Sequence, residues 1–169
     1  MPRPMMLAIV GDSASGKTTL TRGLARVLGE EQVTHVCTDD YHRYDRHERR
    51  TLNITPLDPA CNYLDVLEQD LRTLRSARAV LKPTYSHKDG TFGPPEYVQP
   101  ARFVVVEGLL GLHSADLQGC YDCRVYLDPP EELRRQWKLT RDTTHRGYTT
   151  DQVLTELDRR EPDSARWIR

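Results

Sequence analysis

The sequence predicts an α/β fold, a mostly parallel sheet flanked by helices with a β-hairpin excursion near residues 79–100. Three observations carry this. Short apolar runs end one after another in polar residues, amphipathic stretches lie between them, and one proline-rich segment breaks the alternation around a tight turn. The first run, residues 5–10, ends at Gly11 and is apolar throughout, as expected of a strand buried on both faces of a parallel sheet. A helical pattern follows over Lys17–Leu28, and the second run, Val33–Cys37, stops at Thr38-Asp39-Asp40. Leu64, Leu67, Leu71 and Leu74 then recur at three- and four-residue spacing, which predicts a helix over 63–76. Residues 77–101 carry Pro83, Pro94, Pro95 and Pro100 around Lys88-Asp89-Gly90, a hairpin signal. Residues 103–106 stop at Glu107-Gly108, Cys123–Leu127 stops at Asp128-Pro129-Pro130, and a last helical pattern runs from 131 to about 144. Each strand therefore delivers a polar residue at its carboxyl end, where open α/β sheets bind ligands.

The chain has 169 residues, close to the roughly 150 of one typical domain, so a single domain over 1–169 is expected. With 24 Lys and Arg against 25 Asp and Glu the net charge is −1, which excludes a polyanion-binding protein as a whole and implies no nucleic-acid partner. Hydrophobic residues make up 37% and cluster in runs, so the chain is globular and not disordered. No run approaches the roughly 20 apolar residues of a membrane span, and residues 5–10 are too short for a signal peptide core, which points to a cytoplasmic protein without a membrane partner. Without an export signal, Cys37, Cys61, Cys120 and Cys123 are expected as reduced thiols. Cys120 and Cys123 form a C-x-x-C, but a zinc site needs two more ligands at suitable spacing, and the other two cysteines stand alone.

The first strand leads directly into Gly11-Asp12-Ser13-Ala14-Ser15-Gly16-Lys17-Thr18, which fits G-x-x-x-x-G-K-[ST] at every fixed position, with Thr19 next and a helix following. This is a P-loop, and it turns the α/β expectation into a P-loop NTPase fold binding a nucleoside triphosphate. Backbone N–H groups of the loop and helix start converge on phosphate oxygens. Lys17 reaches the β- and γ-phosphates, and the Thr18 hydroxyl is offered to Mg²⁺. Neither N-K-x-D nor L-S-G-G-Q occurs, which disfavours a small GTPase and an ATP-binding cassette.

After the second strand, Asp39 and Asp40 precede four arginines and two histidines within residues 42–50, a local basic patch on a neutral chain. A carboxylate that accepts a hydroxyl proton, beside cations that hold an anionic acceptor, is what phosphoryl transfer to an alcohol requires. Either Asp39 or Asp40 suits the base, and the crowd of cations suggests an acceptor that itself carries phosphate. Glu107, at the end of an apolar strand, is placed to hold the Mg²⁺ shell. In the last helix Lys138 and Arg141 share a face, and Arg146-Gly147 resembles a hinge able to close arginines over the phosphoryl group.

Together these segments resemble the phosphoribulokinase and uridine kinase family, and within it phosphoribulokinase more closely. The resemblance is carried by residues 11–19, Thr38-Asp39-Asp40-Tyr41-His42, Leu57-Asp58-Pro59 with Asn62, Lys82-Pro83-Thr84-Tyr85-Ser86-His87, Val106-Glu107-Gly108-Leu109, and Lys138 through Arg141-Asp142 to Arg146-Gly147-Tyr148. It implies ATP-dependent phosphorylation of the 1-hydroxyl of ribulose 5-phosphate, with Asp39 as base. It further implies that His42 and Arg46, with Arg50, Tyr85 and His87, hold the sugar phosphate. Glu107 and Asp142 match acidic positions linked with Mg²⁺, and Lys138, Arg141 and Arg146 match catalytic and lid cations. A uridine kinase is the alternative, as is a P-loop module without transferase activity. A homo-oligomer is left open. Plant-type members carry a redox-regulated cysteine where this chain has Ser15. Family members also continue well past the segment ending here in Trp167-Ile168-Arg169, so a C-terminally truncated or minimal kinase domain is expected.

Overall fold

The computed structural model describes residues 2–169. Four strands form one parallel sheet: β1 (Met5–Gly11), β2 (Val33–Cys37), β5 (Phe103–Gly108) and β6 (Cys123–Leu127), in the order β2-β5-β1-β6. These are the four apolar runs, and the two central ones are the most apolar because both their faces are covered. Met6, Ala8 and Val10 of β1 pack with Val104 and Val106 of β5 and Val36 of β2. Leu67, Leu71 and Leu74 of α3 (Leu64–Arg75) lie on the same cluster, each fully buried. Burial on that scale is worth about 1.5–3 kcal/mol per large aliphatic side chain. Parallel register sets Ile9 and Cys37 on either side of Glu107, so the carboxyl ends of three strands lie level.

The hairpin is β3 (Val80–Ser86) paired antiparallel with β4 (Thr91–Val98) as a separate two-stranded sheet. Its turn is closed by Gly90 at φ 79°, and Pro83, which has no N–H for the ladder, coincides with a register shift between Lys82 and Thr84. Val80 and Val98 sink its base into the main core, while β4 is otherwise exposed.

The flanking helices α1 (Lys17–Leu28) and α5 (Glu131–His145) lie where the patterns put them. Three further helices were not expected: α2 (Arg46–Thr51), α4 (Ala115–Gln118) and α6 (Thr150–Asp163). Two of them start at a capping box, Asp45 with Glu48 and Thr149 with Gln152. Gly147 at φ 72° separates α5 from α6. Among the described residues no helix is long and apolar enough to cross a membrane, and all four cysteines are free thiols.

Candidate active site

The loop between β1 and α1 forms a phosphate cradle. Gly16, the residue before α1, has φ 94°, a conformation that strains any residue with a β-carbon. No acidic side chain occupies the first turn of α1, so the helix start presents N–H groups to an anion. Lys17 spans the loop, its Nζ donating to the carbonyls of Gly11 at 2.9 Å and Asp12 at 2.7 Å. Burial pulls its pKa down against the opposing charges of Asp39, Glu107 and Asp12. The Ser15 hydroxyl is buried without a hydrogen-bond partner among the described residues. Backbone N–H groups, Lys17 and this hydroxyl together suit a polyphosphate.

Asp12 stands in the motif, but its carboxylate turns away from the cradle. It accepts from the Ser13 N–H at 2.5 Å and from the Ser164 hydroxyl, and it pairs with Arg134 Nη1 at 3.1 Å. Arg134 also donates to the Ser13 carbonyl at 3.3 Å, so α5 and the turn after α6 brace the loop. Ala14 completes the loop with φ 64°, and Thr19 is exposed on α1.

Thr18 and Glu107 come together as expected, Thr18 Oγ1 donating to Glu107 Oε1 at 2.5 Å. Two hard oxygen donors at the cradle's edge suit Mg²⁺. His35 was not foreseen: its Nε2 lies 3.2 Å from the other Glu107 oxygen. Burial raises the Glu107 pKa, but hydrogen bonds with His35 and Thr18 and the charge of Lys17 outweigh it and hold the carboxyl below its ordinary value. Glu107→Gln should raise the Mg²⁺ concentration for half-maximal turnover at least ~10-fold, since even an outer-shell change costs that much in metal affinity. Magnesium titration of turnover checks it, and an unchanged requirement would move the metal elsewhere.

Asp142, expected beside these two, does something else. Its carboxylate is buried among three cations: Lys138 Nζ at 2.9 Å, Arg141 Nε at 2.8 Å and Arg146 Nη1 at 3.5 Å. A carboxylate with both oxygens engaged by cations does not suit a divalent metal as well, so Asp142 gathers Lys138, Arg141 and Arg146 instead. Burial favours its neutral form, but the hydrogen bonds from Arg141 and Lys138 win and lower its pKa. Arg141 is close enough for its charge to depress the Lys17 pKa, which links the end of α5 to the cradle.

On the acceptor side the two aspartates divide. Asp40 is a structural anchor: it pairs with the buried Lys82 at 2.7 Å and accepts from the Tyr85 N–H at 2.8 Å. Asp39 lies in a 3₁₀ turn, Thr38–Tyr41, at the tip of β2. It faces His87 Nε2 at 3.3 Å and His42 Nε2 at 4.0 Å, and is 24% exposed. Burial would raise its pKa, but the His87 hydrogen bond and the charges of His42, His87 and Lys17 dominate, holding it well below the usual carboxylate range. Asp39 is therefore ionised at neutral pH. The stability this supplies is present above the unfolded carboxyl's pKa of about 3.9 and is lost as pH falls through the lower folded value. In acid titrations followed by circular dichroism, the wild type should lose stability relative to Asp39→Asn below about pH 4. A constant difference would contradict it.

The turn has room only because Gly108 lacks a side chain: a β-carbon there would stand 1.6 Å from Thr38 Oγ1. His42 is buried and oriented by Asn62 Oδ1 at 2.7 Å from its Nδ1. Tyr85 stacks edge-on against both His42 and His87, at 4.9 Å and 5.2 Å. Arg46 donates to the His87 carbonyl at 2.5 Å, tying α2 to the hairpin turn. Arg50, expected in this group, is exposed and makes none of these contacts. Its neighbour Arg49 takes the inward position, donating to the Tyr85 hydroxyl at 2.6 Å. One residue on a helix is about 100° of rotation, enough to exchange the two faces.

A P-loop, a carboxylate flanked by two histidines, and a four-stranded parallel sheet are thus in place, and residues 6–169 match the Phosphoribulokinase / Uridine kinase family. The chain belongs to this family. It is 39% identical over 168 residues to a phosphoribulokinase of Synechocystis sp., covering 99% of this chain and 51% of that protein. It is 31% identical over 161 residues to a uridine kinase of Brevibacillus brevis, covering 92% of this chain and 74% of that one. The chain spans about half the length of the curated phosphoribulokinases it matches. Among solved structures, a phosphoribulokinase from Rhodobacter spheroides aligns with a TM-score of 0.74 at 22% identity, over 98% of this chain and 66% of that one. That likeness supports the P-loop kinase fold.

Proposed function

We propose that this chain carries the catalytic machinery of a single-domain, Mg²⁺-dependent kinase. It would transfer the γ-phosphoryl group of ATP to a sugar phosphate, with ribulose 5-phosphate, phosphorylated at its 1-hydroxyl, as the acceptor. The observation that carries this reading is the setting of Asp39, an ionised carboxylate between His42 and His87 with Arg46 and Arg49 close behind. Two guanidinium groups close behind a base favour an acceptor that is itself an anion, which uridine is not.

In this reading the backbone N–H groups before α1 and Lys17 bind the ATP phosphates. Mg²⁺, held by Thr18 and Glu107, would offset charge on the β- and γ-oxygens. Asp39 takes the proton of the acceptor hydroxyl on a carboxylate oxygen as that oxygen closes on phosphorus. His42 and His87 orient Asp39 and face the acceptor's phosphate, while Tyr85 and Asn62 hold the two imidazoles. Lys138, Arg141 and Arg146, gathered on Asp142, form a cationic cover that keeps water from competing as acceptor.

Acceptor-dependent ADP release from Mg-ATP tests the reading. Release with ribulose 5-phosphate well above that with uridine is expected. Release with uridine alone would make this a nucleoside kinase, and release with neither would leave a nucleotide-binding module.

A further inference from the structure

We propose that Cys37, Asp39 and His87 form a binding site for a borderline-soft divalent cation of the Zn²⁺ class, and that its occupancy reversibly disables the site. Cys37 ends β2, Asp39 follows it in the 3₁₀ turn, and His87 follows β3, so three segments bring a thiol, a carboxylate and an imidazole to one point. One ligand atom from each lies within 4.8 Å of the other two. A tetrahedral zinc centre, with bonds of about 2.0–2.3 Å, places its ligands roughly 3.3–3.7 Å apart. The His87–Asp39 edge already spans 3.3 Å. Only the thiol has to draw in, by about 1 Å.

The donor set selects the metal. Mg²⁺ takes oxygen ligands in octahedral geometry, so a sulfur and an imidazole nitrogen discriminate against the cation of the phosphoryl-transfer reaction and in favour of Zn²⁺. Three protein ligands leave a fourth position for water, the pattern of an exchangeable site and not of a closed structural one. The half-exposed His87 opens the site to solvent from the hairpin side. Cys37 also lines a cavity of about 510 Å³ with His35, Asp40, Lys82 and Glu96, open between β2 and the hairpin. Burial and the neighbouring Asp39 charge keep the thiol protonated in the absence of metal. On binding, a Zn–S bond forms, the thiol proton passes to solvent, and the cation sheds water molecules.

The kinetic consequence rests on the reading of Asp39 as base, while the binding does not. A carboxylate oxygen coordinated to zinc cannot accept the acceptor's proton, and His87 is withdrawn with it.

Co²⁺ titration of the full chain, kept reduced with a phosphine, tests the site directly. One Co²⁺ per chain should bind with a thiolate-to-cobalt charge-transfer band that Zn²⁺ abolishes by displacement. Cys37→Ser should remove the band, His87→Ala should weaken binding at least ~10-fold, and Cys61→Ser and Cys123→Ser should retain it. Circular dichroism confirms that each variant is folded. Absence of the band, or its survival in Cys37→Ser, would overturn the proposal. In the kinetic arm, Zn²⁺ should suppress acceptor-dependent ADP release reversibly by chelator, and Cys37→Ser should escape this relative to its own zinc-free rate. Equal inhibition of both proteins would also overturn it. If the wild type releases no ADP with any acceptor, the kinase reading fails while the cobalt band still decides the metal site.

Discussion

Asp39→Asn should cut acceptor-dependent turnover by roughly 10²–10⁴-fold, the usual contribution of a positioned general base, and preserve ATP binding. The asparagine keeps the size of the side chain and its contact with His87, but it cannot take a proton at neutral pH. The cradle residues Gly16, Lys17 and Thr18 are all retained, so calorimetric titration with ATP should show binding preserved, with Lys17 losing only the through-space charge of Asp39. Asp40→Asn is the informative partner. Asp40 is paired with Lys82 and the Tyr85 N–H, so its loss should act first on stability by loosening the hairpin. Turnover retained in Asp39→Asn would remove Asp39 from the base role.

The second large effect is at the carboxyl end of α5. Asp142→Asn should destabilise the fold by about 3–5 kcal/mol, because it leaves the buried Lys138 ammonium without its anionic partner. Burial already pulls the Lys138 pKa down, and without Asp142 the lysine is left to lose its proton or admit water. Thermal unfolding measures the loss. The magnesium requirement of turnover should stay where it is, in contrast to Glu107→Gln. A raised requirement with undiminished stability would return Asp142 to the metal.

Much of the fold was legible because it depends on local pattern. The apolar runs are the four strands, most apolar in β1 and β5 where both faces are covered, and α3 carries a leucine stripe that packs on the sheet. The phosphate cradle was legible for the same reason, since its residues are contiguous and their spacing is fixed by backbone geometry. The acceptor site was only half legible. Its residues come from the end of β2, the Asn62 segment and the hairpin, and the sequence singles out Asp39 and Asp40 without saying which is tied to the hairpin base and which faces the histidines. That choice is made by Lys82, 42 residues away, which captures Asp40. The inward turn of Arg49 beside the exposed Arg50 was unreadable for a different reason, because α2 is six residues long and too short for its phase to be read from apolar spacing. Asp142 misled for a third reason: an acidic residue on a polar helix looks the same whether its partners are a metal or three cations. His35, Arg134 and Ser164 gave no signal at all, since each acts through long-range contacts.

What the chain phosphorylates decides between a sugar-phosphate kinase and a nucleoside kinase. Phosphorus NMR of the products formed from Mg-ATP in an equal mixture of ribulose 5-phosphate and uridine reads this directly. The expected spectrum gains the two phosphomonoester resonances of ribulose 1,5-bisphosphate with the wild type and not with Asp39→Asn. Uridine monophosphate as the sole new ester, or inorganic phosphate alone, would contradict a sugar-phosphate kinase with Asp39 as its base.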